Sequence, residues 1–154
     1  MSKILINHVK RATCAVYGID MADLDRQDRR RRFAAARQMA MACARTLTEQ
    51  SLILIGRAFG GRDESTARHA VEAVAGLVAR YPREAETAAE IARLAEWYAA
   101  GNYAEPARFS RSADLGVVPD REIREFRDLP PMMIAQRIGV PVNEVSRVLT
   151  SEVA

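Results

Sequence analysis

Arg37 to Ala70 reads RQMAMACARTLTEQSLILIGRAFGGRDESTARHA, and this stretch decides the fold. Over Arg37–Thr48, Met41, Ala44 and Leu47 fall on one face with Ala40 and Cys43 beside them, the spacing of an amphipathic helix. Ser51 is placed to cap a second helix with apolar positions Leu52, Ile55 and Phe59. Gly60-Gly61 ends it, as glycine does where a left-handed residue follows a helix. Asp63 is the N-cap of a third helix that begins Glu64-Ser65-Thr66, and an acid there also suits the positive end of the helix dipole. Two short helices joined through a glycine turn describe a helix-turn-helix, whose second helix enters the DNA major groove in proteins built this way.

The segment FGGRDESTARHA closely resembles the signature FGGRDHTTVxHA of the C-terminal DNA-binding domain (domain IV) of the bacterial replication initiator family DnaA. Upstream, RQMAMA, RTLT and SLILIG (SLPEIG in the family) follow in the same order and spacing. The resemblance covers roughly residues 1–80 and rests on several motifs rather than one. It implies double-stranded DNA as the partner. It also implies that Arg29 or a neighbour among Arg30, Arg31 and Arg32 enters the minor groove while the others meet phosphates. Minor-groove arginines are drawn by the negative potential of narrow A·T-rich segments.

Working outward, Ser2–Tyr17 reads as a helix with Ile6, Val9, Thr13 and Val16 on one side and Gly18 as its stop. Asp20–Leu24 holds one short helical turn, and Arg26 to Arg32 then places five arginines within seven residues. By position in the motif, Arg37, Gln38, Arg45 and the Ser51–Leu52 amides are expected to hold the phosphate backbone, which fixes register without reading sequence. Arg62 is expected on the backbone as well, the alternative being an ion pair with Asp63 or Glu64. Asp63 and Glu64 are candidates to accept from cytosine N4, and Ser65 and Thr66 to serve either partner or touch a thymine methyl. His69 reads as a packed or phosphate-touching residue, since no second metal ligand lies at helical spacing from it.

The departures from the family include base-reading positions. Glu64 and Ser65 stand where it has histidine and threonine, Ala67 where it has valine, and Ile53 and Ala36 where it has prolines. Retained DNA binding with an altered sequence preference is the expectation. No GxxxxGK[ST] occurs in the chain, so the ATPase machinery of the initiator is absent from it and no enzymatic activity is expected.

Composition agrees. Residues 1–80 carry 14 Lys/Arg against 8 Asp/Glu, a balance of +6, while 81–154 carry 9 against 12, a balance of −3. A basic front half suits a polyanion and the acidic rear half adds nothing to that. Cys14 and Cys43 sit within helical pattern and read as packing residues, with no metal or cofactor expected. No apolar run is long enough for a bilayer and no signal peptide is evident, so no membrane partner is expected, and a cytoplasmic, nucleoid location is.

Behind the first module, Pro82 opens a helix over 83–100 that Gly101-Asn102 stops, and 102–119 reads as linker or wrapping loop, with Arg108 and Arg111 as surface cations. A further helix over 120–128 precedes Pro130-Pro131 and MMIAQRIGVPVNEVSRVLTS. Ala135, Gly139 and Val145 there have the spacing of a second helix-turn-helix, with Val142–Thr150 as its second helix and Asn143, Ser146 and Arg147 facing outward as candidate DNA contacts. The expected fold class is therefore all-α. A DnaA-type helix-turn-helix bundle over 1–80 is followed by helix plus linker over 81–118 and a second helix-turn-helix over 119–154. The expected function is sequence-specific binding of double-stranded DNA, with helix 64–79 in the major groove and the Arg-rich loop in the minor groove. That binding would regulate replication initiation or transcription in bacteria or phage. The competing expectation is a protein-interaction adaptor, a degenerate DnaA-like scaffold that binds RNA polymerase or the initiator. The sequence leaves the oligomeric state open.

Overall fold

The computed structural model of the chain describes residues 3–27, 31–102, 120–138 and 142–151, and the side chains of these except 31, 32, 121, 122 and 136. Its elements are α1 (Ile6–Tyr17), α2 (Met21–Asp25), α3 (Arg31–Leu47), α4 (Leu52–Ala58), α5 (Glu64–Arg80), α6 (Pro82–Ala99), α7 (Asp120–Glu125), α8 (Pro131–Ile138) and α9 (Val142–Thr150). The all-α class is as the periodicity predicts.

Local chemistry sets the helix ends. α1 begins at Ile6 rather than at residue 2, because His8 Nδ1 accepts the Leu5 amide at 3.0 Å and so caps a start that has no Ser, Thr or Asp. Gly18, at φ 68°, closes it with its amide on the Cys14 carbonyl. α3 begins at Arg31, well ahead of the expected Arg37. Its Phe33-Ala34-Ala35-Ala36 run favours helix and carries no proline to interrupt the hydrogen-bond ladder. Arg31 and Arg32 therefore belong to the first turn of a helix and not to a loop, a correction to the sequence expectation. Arg29, Arg30, Gly139 and nearly all of the expected linker, with Arg108 and Arg111, lie outside the described residues.

One core is built from α1 to α6, around Val9, Leu24, Met39, Met41, Ile55, Phe59, Ile91 and Leu94, all essentially inaccessible to solvent. α6 lies along α1 and contributes Ile91, Leu94, Ala95 and Tyr98 to this core, so the first packing unit runs past the boundary expected at residue 80. Cys14 and Cys43 are buried in it, and burial pushes both thiols up to about 12, which suits packing residues.

A second core gathers Tyr81, Ile123, Phe126, Ile134, Ala135, Val145 and Val148. Tyr81 joins the two: it ends α5 and begins α6, its ring lies 4.6 Å from that of Phe126, and its hydroxyl donates to Asp128 at 3.0 Å. α8 also packs on α3. The strongest polar tie is the ion pair between Glu84 of α6 and Arg137 of α8. Arg137 Nε donates to Oε1 at 2.9 Å and its Nη2 lies 2.7 Å from Oε2, with side chains 0% and 5% exposed.

Removing one partner of a buried pair strands the other charge, and Glu84→Gln is expected to cost about 3–5 kcal/mol. Urea unfolding checks this. Glu84→Leu combined with Arg137→Met is expected to recover most of the loss, and a single variant as stable as the parent would show that the pair is solvated.

Candidate nucleic-acid interface

The helix-turn-helix is α4, the Phe59–Asp63 turn and α5. Ser51 accepts the Leu54 amide at 3.3 Å and leaves Leu52 at the head of α4, half-buried against the core. Ile53 and Leu54 beside it are exposed. Gly56 lets α4 approach the turn, since a Cβ there would lie 2.5 Å from the Arg62 carbonyl oxygen and 2.7 Å from that of Asp63. Gly60, at φ 77°, is as constrained, because a Cβ would collide with the Asp25 carbonyl. Gly61 has a similar φ of 73° but faces open space.

Three cations around the end of α2 and the turn are spent inside the fold. Arg37, 8% exposed, donates from Nε to the Leu24 carbonyl at 2.9 Å and from Nη2 to those of Asp23 and Arg26 at 3.1 and 3.0 Å. Arg62 donates to the Phe59 carbonyl and, at 2.7 Å, to that of Arg26, and burial pulls its guanidinium below its ordinary value while Asp25 opposes the shift. Lys10, which the sequence did not single out, reaches the Asp25 carboxylate at 2.6 Å and the Ala58 carbonyl at 2.7 Å above the Phe59 ring. Arg37 and Arg62 were expected on phosphates. They instead clamp the end of α2 to α3 and to the turn, because the carbonyls that follow a five-residue helix need donors.

Asp63 is also used internally. Its Oδ1 accepts the Thr66 amide at 2.9 Å, the Thr66 hydroxyl at 2.8 Å and the Ser65 hydroxyl at 2.9 Å, so it caps α5 through that oxygen while the residue stays exposed. Ser65 and Thr66, both exposed, thereby turn lone pairs outward and present acceptors. Glu64 meets Arg68 one turn on, Oε1 to Nη2 at 2.5 Å, and His69 is exposed beside them. Arg45 is exposed and donates to the Gln50 carbonyl at 2.8 Å, bracing the corner between α3 and α4, while Gln38 is half-buried. Arg26, Arg57 and Arg68 are further exposed cations on these elements, of which Arg68 was signalled by its i, i+4 spacing from Glu64. In the second unit Asn143, Ser146 and Arg147 all face solvent. Arg147 lies 3.0 Å from Glu144 and 4.0 Å from Asp120. Among the described residues no group of three His, Cys, Asp or Glu is placed to hold a metal, and no helix is long and apolar enough to cross a membrane.

Residues 6–74 match the family described as bacterial DnaA protein helix-turn-helix. Among curated proteins, the chromosomal replication initiator protein DnaA of Sphingopyxis alaskensis is 47% identical over 88 residues, which cover 56% of this chain and 19% of that protein. The protein of the same name from Francisella tularensis subsp. novicida is 44% identical over 75 residues, 49% of this chain and 15% of that one. The chain thus spans less than a fifth of the length of these relatives. The DnaA-type segment takes in α1 to α4 and α5 up to Val74, and α6 to α9 follow it.

Two outcomes follow from the turn and the cap. Gly60→Ala combines a left-handed backbone with a collision and is expected to lower the unfolding midpoint far more than Gly61→Ala, where strain alone costs about 1–3 kcal/mol. Equal losses in thermal melts would show that the Asp25 carbonyl yields freely. The hydrogen bonds from the Thr66 amide, the Thr66 hydroxyl and the Ser65 hydroxyl hold the Asp63 carboxyl below its usual value of 3.8. The cap's contribution is complete above that value and is lost as pH falls through the lowered one. Helicity followed by circular dichroism during acid titration is expected to fall less steeply in Asp63→Ala, whereas an unchanged acid limb would remove the cap from the account.

Proposed function

We propose that this chain binds double-stranded DNA through α4 and α5, with the first two turns of α5 in the major groove and one arginine of the Arg-rich segment 26–32 in the minor groove, the others of that segment meeting phosphates. In this proposal the binding regulates replication initiation or transcription in a bacterium or phage. The observation that carries it is the open start of α5. Ser65, Thr66, Arg68 and His69 are exposed on a helix whose position is fixed by the glycine turn, with Arg26, Arg45 and Arg57 exposed on neighbouring elements. Phosphate-bound cations fix orientation and the helix start reads base edges, which is the division of labour a helix-turn-helix requires. The match of residues 6–74 to the DnaA helix-turn-helix supports the same reading.

A second reading concerns the C-terminal unit, and Arg147 favours it. With Glu144 at 3.0 Å and Asp120 at 4.0 Å from its one guanidinium, the surroundings of Arg147 on α9 carry more negative than positive charge and have little to offer phosphate. This surface suits a protein such as RNA polymerase or a replication initiator, and Asn143, Ser146 and Arg147 are then contacts to that protein.

Selection from a random duplex library, followed by fluorescence anisotropy of the winner at low and moderate salt, tests both readings. A defined motif with affinity of about 1–100 nM and a steep salt dependence is expected. Arg26→Ala and Arg57→Ala are each expected to weaken all duplexes alike and to lower the log–log salt slope by about 1, and Arg147→Ala to leave slope and affinity as they were. Binding insensitive to salt would sink the first reading, and a slope lowered by Arg147→Ala the second.

A further inference from the structure

Ala67, Ala70 and Val74 are the buried line of α5, so Ser65, Arg68, His69 and Glu72 lie on the exposed arc, with the partly exposed Glu64 at its edge. On that arc Glu64 and Arg68 are one turn apart, with Oε1 and Nη2 2.5 Å from each other and side chains 42% and 53% exposed. Acid before base at this spacing is the favoured orientation on a helix, and a glutamate in the first turn also suits the helix dipole. As a surface pair it contributes about 0.3–0.5 kcal/mol, too little to matter to a fold that already has two cores. Its location gives it a different use. Arg68 is the only lysine or arginine in the first two turns of α5, the part of the helix that faces base edges when the motif is docked.

We propose that Arg68 is a specificity-determining residue that reads a guanine in the major groove, and that Glu64 is the positioning residue that holds it there. The assignment rests on the DNA-binding function proposed above. Three physical points support it. A glutamate alone on this face would be repelled by the phosphates on both sides of the groove, and the guanidinium neutralises it. An arginine has five N–H donors in a planar fork, so one of them can stay on Glu64 while a parallel pair meets guanine O6 and N7. A long side chain that a neighbour biases towards one rotamer loses somewhat less freedom on binding than an unbiased one, and discrimination by a fork depends on the orientation of its plane. The neighbouring groups do not compete for the same edge. Ser65 and Thr66 direct their protons to Asp63 and present acceptors, whereas guanine O6 and N7 require donors.

The test uses the full chain and runs library selection on the parent, Arg68→Ala, Arg68→Lys and Glu64→Ala in parallel. Anisotropy is then measured on the parent's winning duplex and on every single-base-pair change within it. The parent is expected to select a motif with a G·C pair whose replacement weakens binding about 10- to 100-fold. Arg68→Ala is expected to erase discrimination at that pair and to leave the other positions as they were. Arg68→Lys, a point charge without the fork, is expected to erase most of it. Glu64→Ala is expected to raise affinity for all duplexes by removing a negative charge, while narrowing discrimination at the same pair several-fold. That combination is one a purely structural ion pair does not produce. If Arg68→Ala weakens every duplex equally, Arg68 is a phosphate contact and the proposal is overturned. The same holds if all base-pair preferences survive Arg68→Ala. A parent that binds but selects no motif, or does not bind, overturns the DNA-reading function itself and this assignment with it. A parent motif untouched by Arg68→Ala overturns this assignment alone.

Discussion

The short segment from Asp23 to Arg26 is the point on which the first module depends. A five-residue helix ends there with carbonyls that have no helical partner, and three cations from distant parts of the chain converge on them and on Asp25. Arg37 brings α3, Arg62 brings the turn, and Lys10 brings α1 together with the end of α4. Each guanidinium or ammonium acts as a multivalent donor, which suits it to tie groups on several elements together at the edge of their shared core. The start of α5 and the start of the arginine run are thus held by the same cluster, and their separation is set by the fold.

Much of this module was legible in the sequence because its signals are local. Ser51 and Asp63 are N-caps where the residue types predict them, and the second helix of the C-terminal unit occupies Val142–Thr150 as its period indicates. What the sequence concealed is long-range. Arg37 and Arg62 flank a helix-turn-helix and carry the charge of phosphate ligands, and nothing within a window around them reveals that carbonyls from residues 11 to 36 positions away will consume their donors. Glu84 is similar. As an acid in the first turn of α6 it reads as a solvated group matched to the helix dipole, yet its counter-charge is Arg137, 53 residues on. Arg68 lay between the two cases, since its partner is only four residues away.

The second unit shows how helices that read from sequence as DNA-binding can have their chemistry turned inward. Ala135 and Val145 are buried where a helix-turn-helix buries them, but α8 gives its arginine to α6, and α9 shares its own with two acids. Charge that a free-standing DNA-binding unit would turn to solvent is used here to attach one unit to the other and to quiet an exposed face.

That attachment determines where the chain can be divided. A cut after α5 removes Ile91, Leu94, Ala95 and Tyr98 from the side of α1 and opens the first core. Moving the cut to the end of α6 restores those side chains but leaves Glu84 without its counter-ion and Tyr81 without the ring it rests on. Neither fragment reproduces the module as it stands in the whole molecule. The segment that matches the family, residues 6–74, is therefore smaller than the packed unit, and α6, although it follows that segment, is a structural part of the first core.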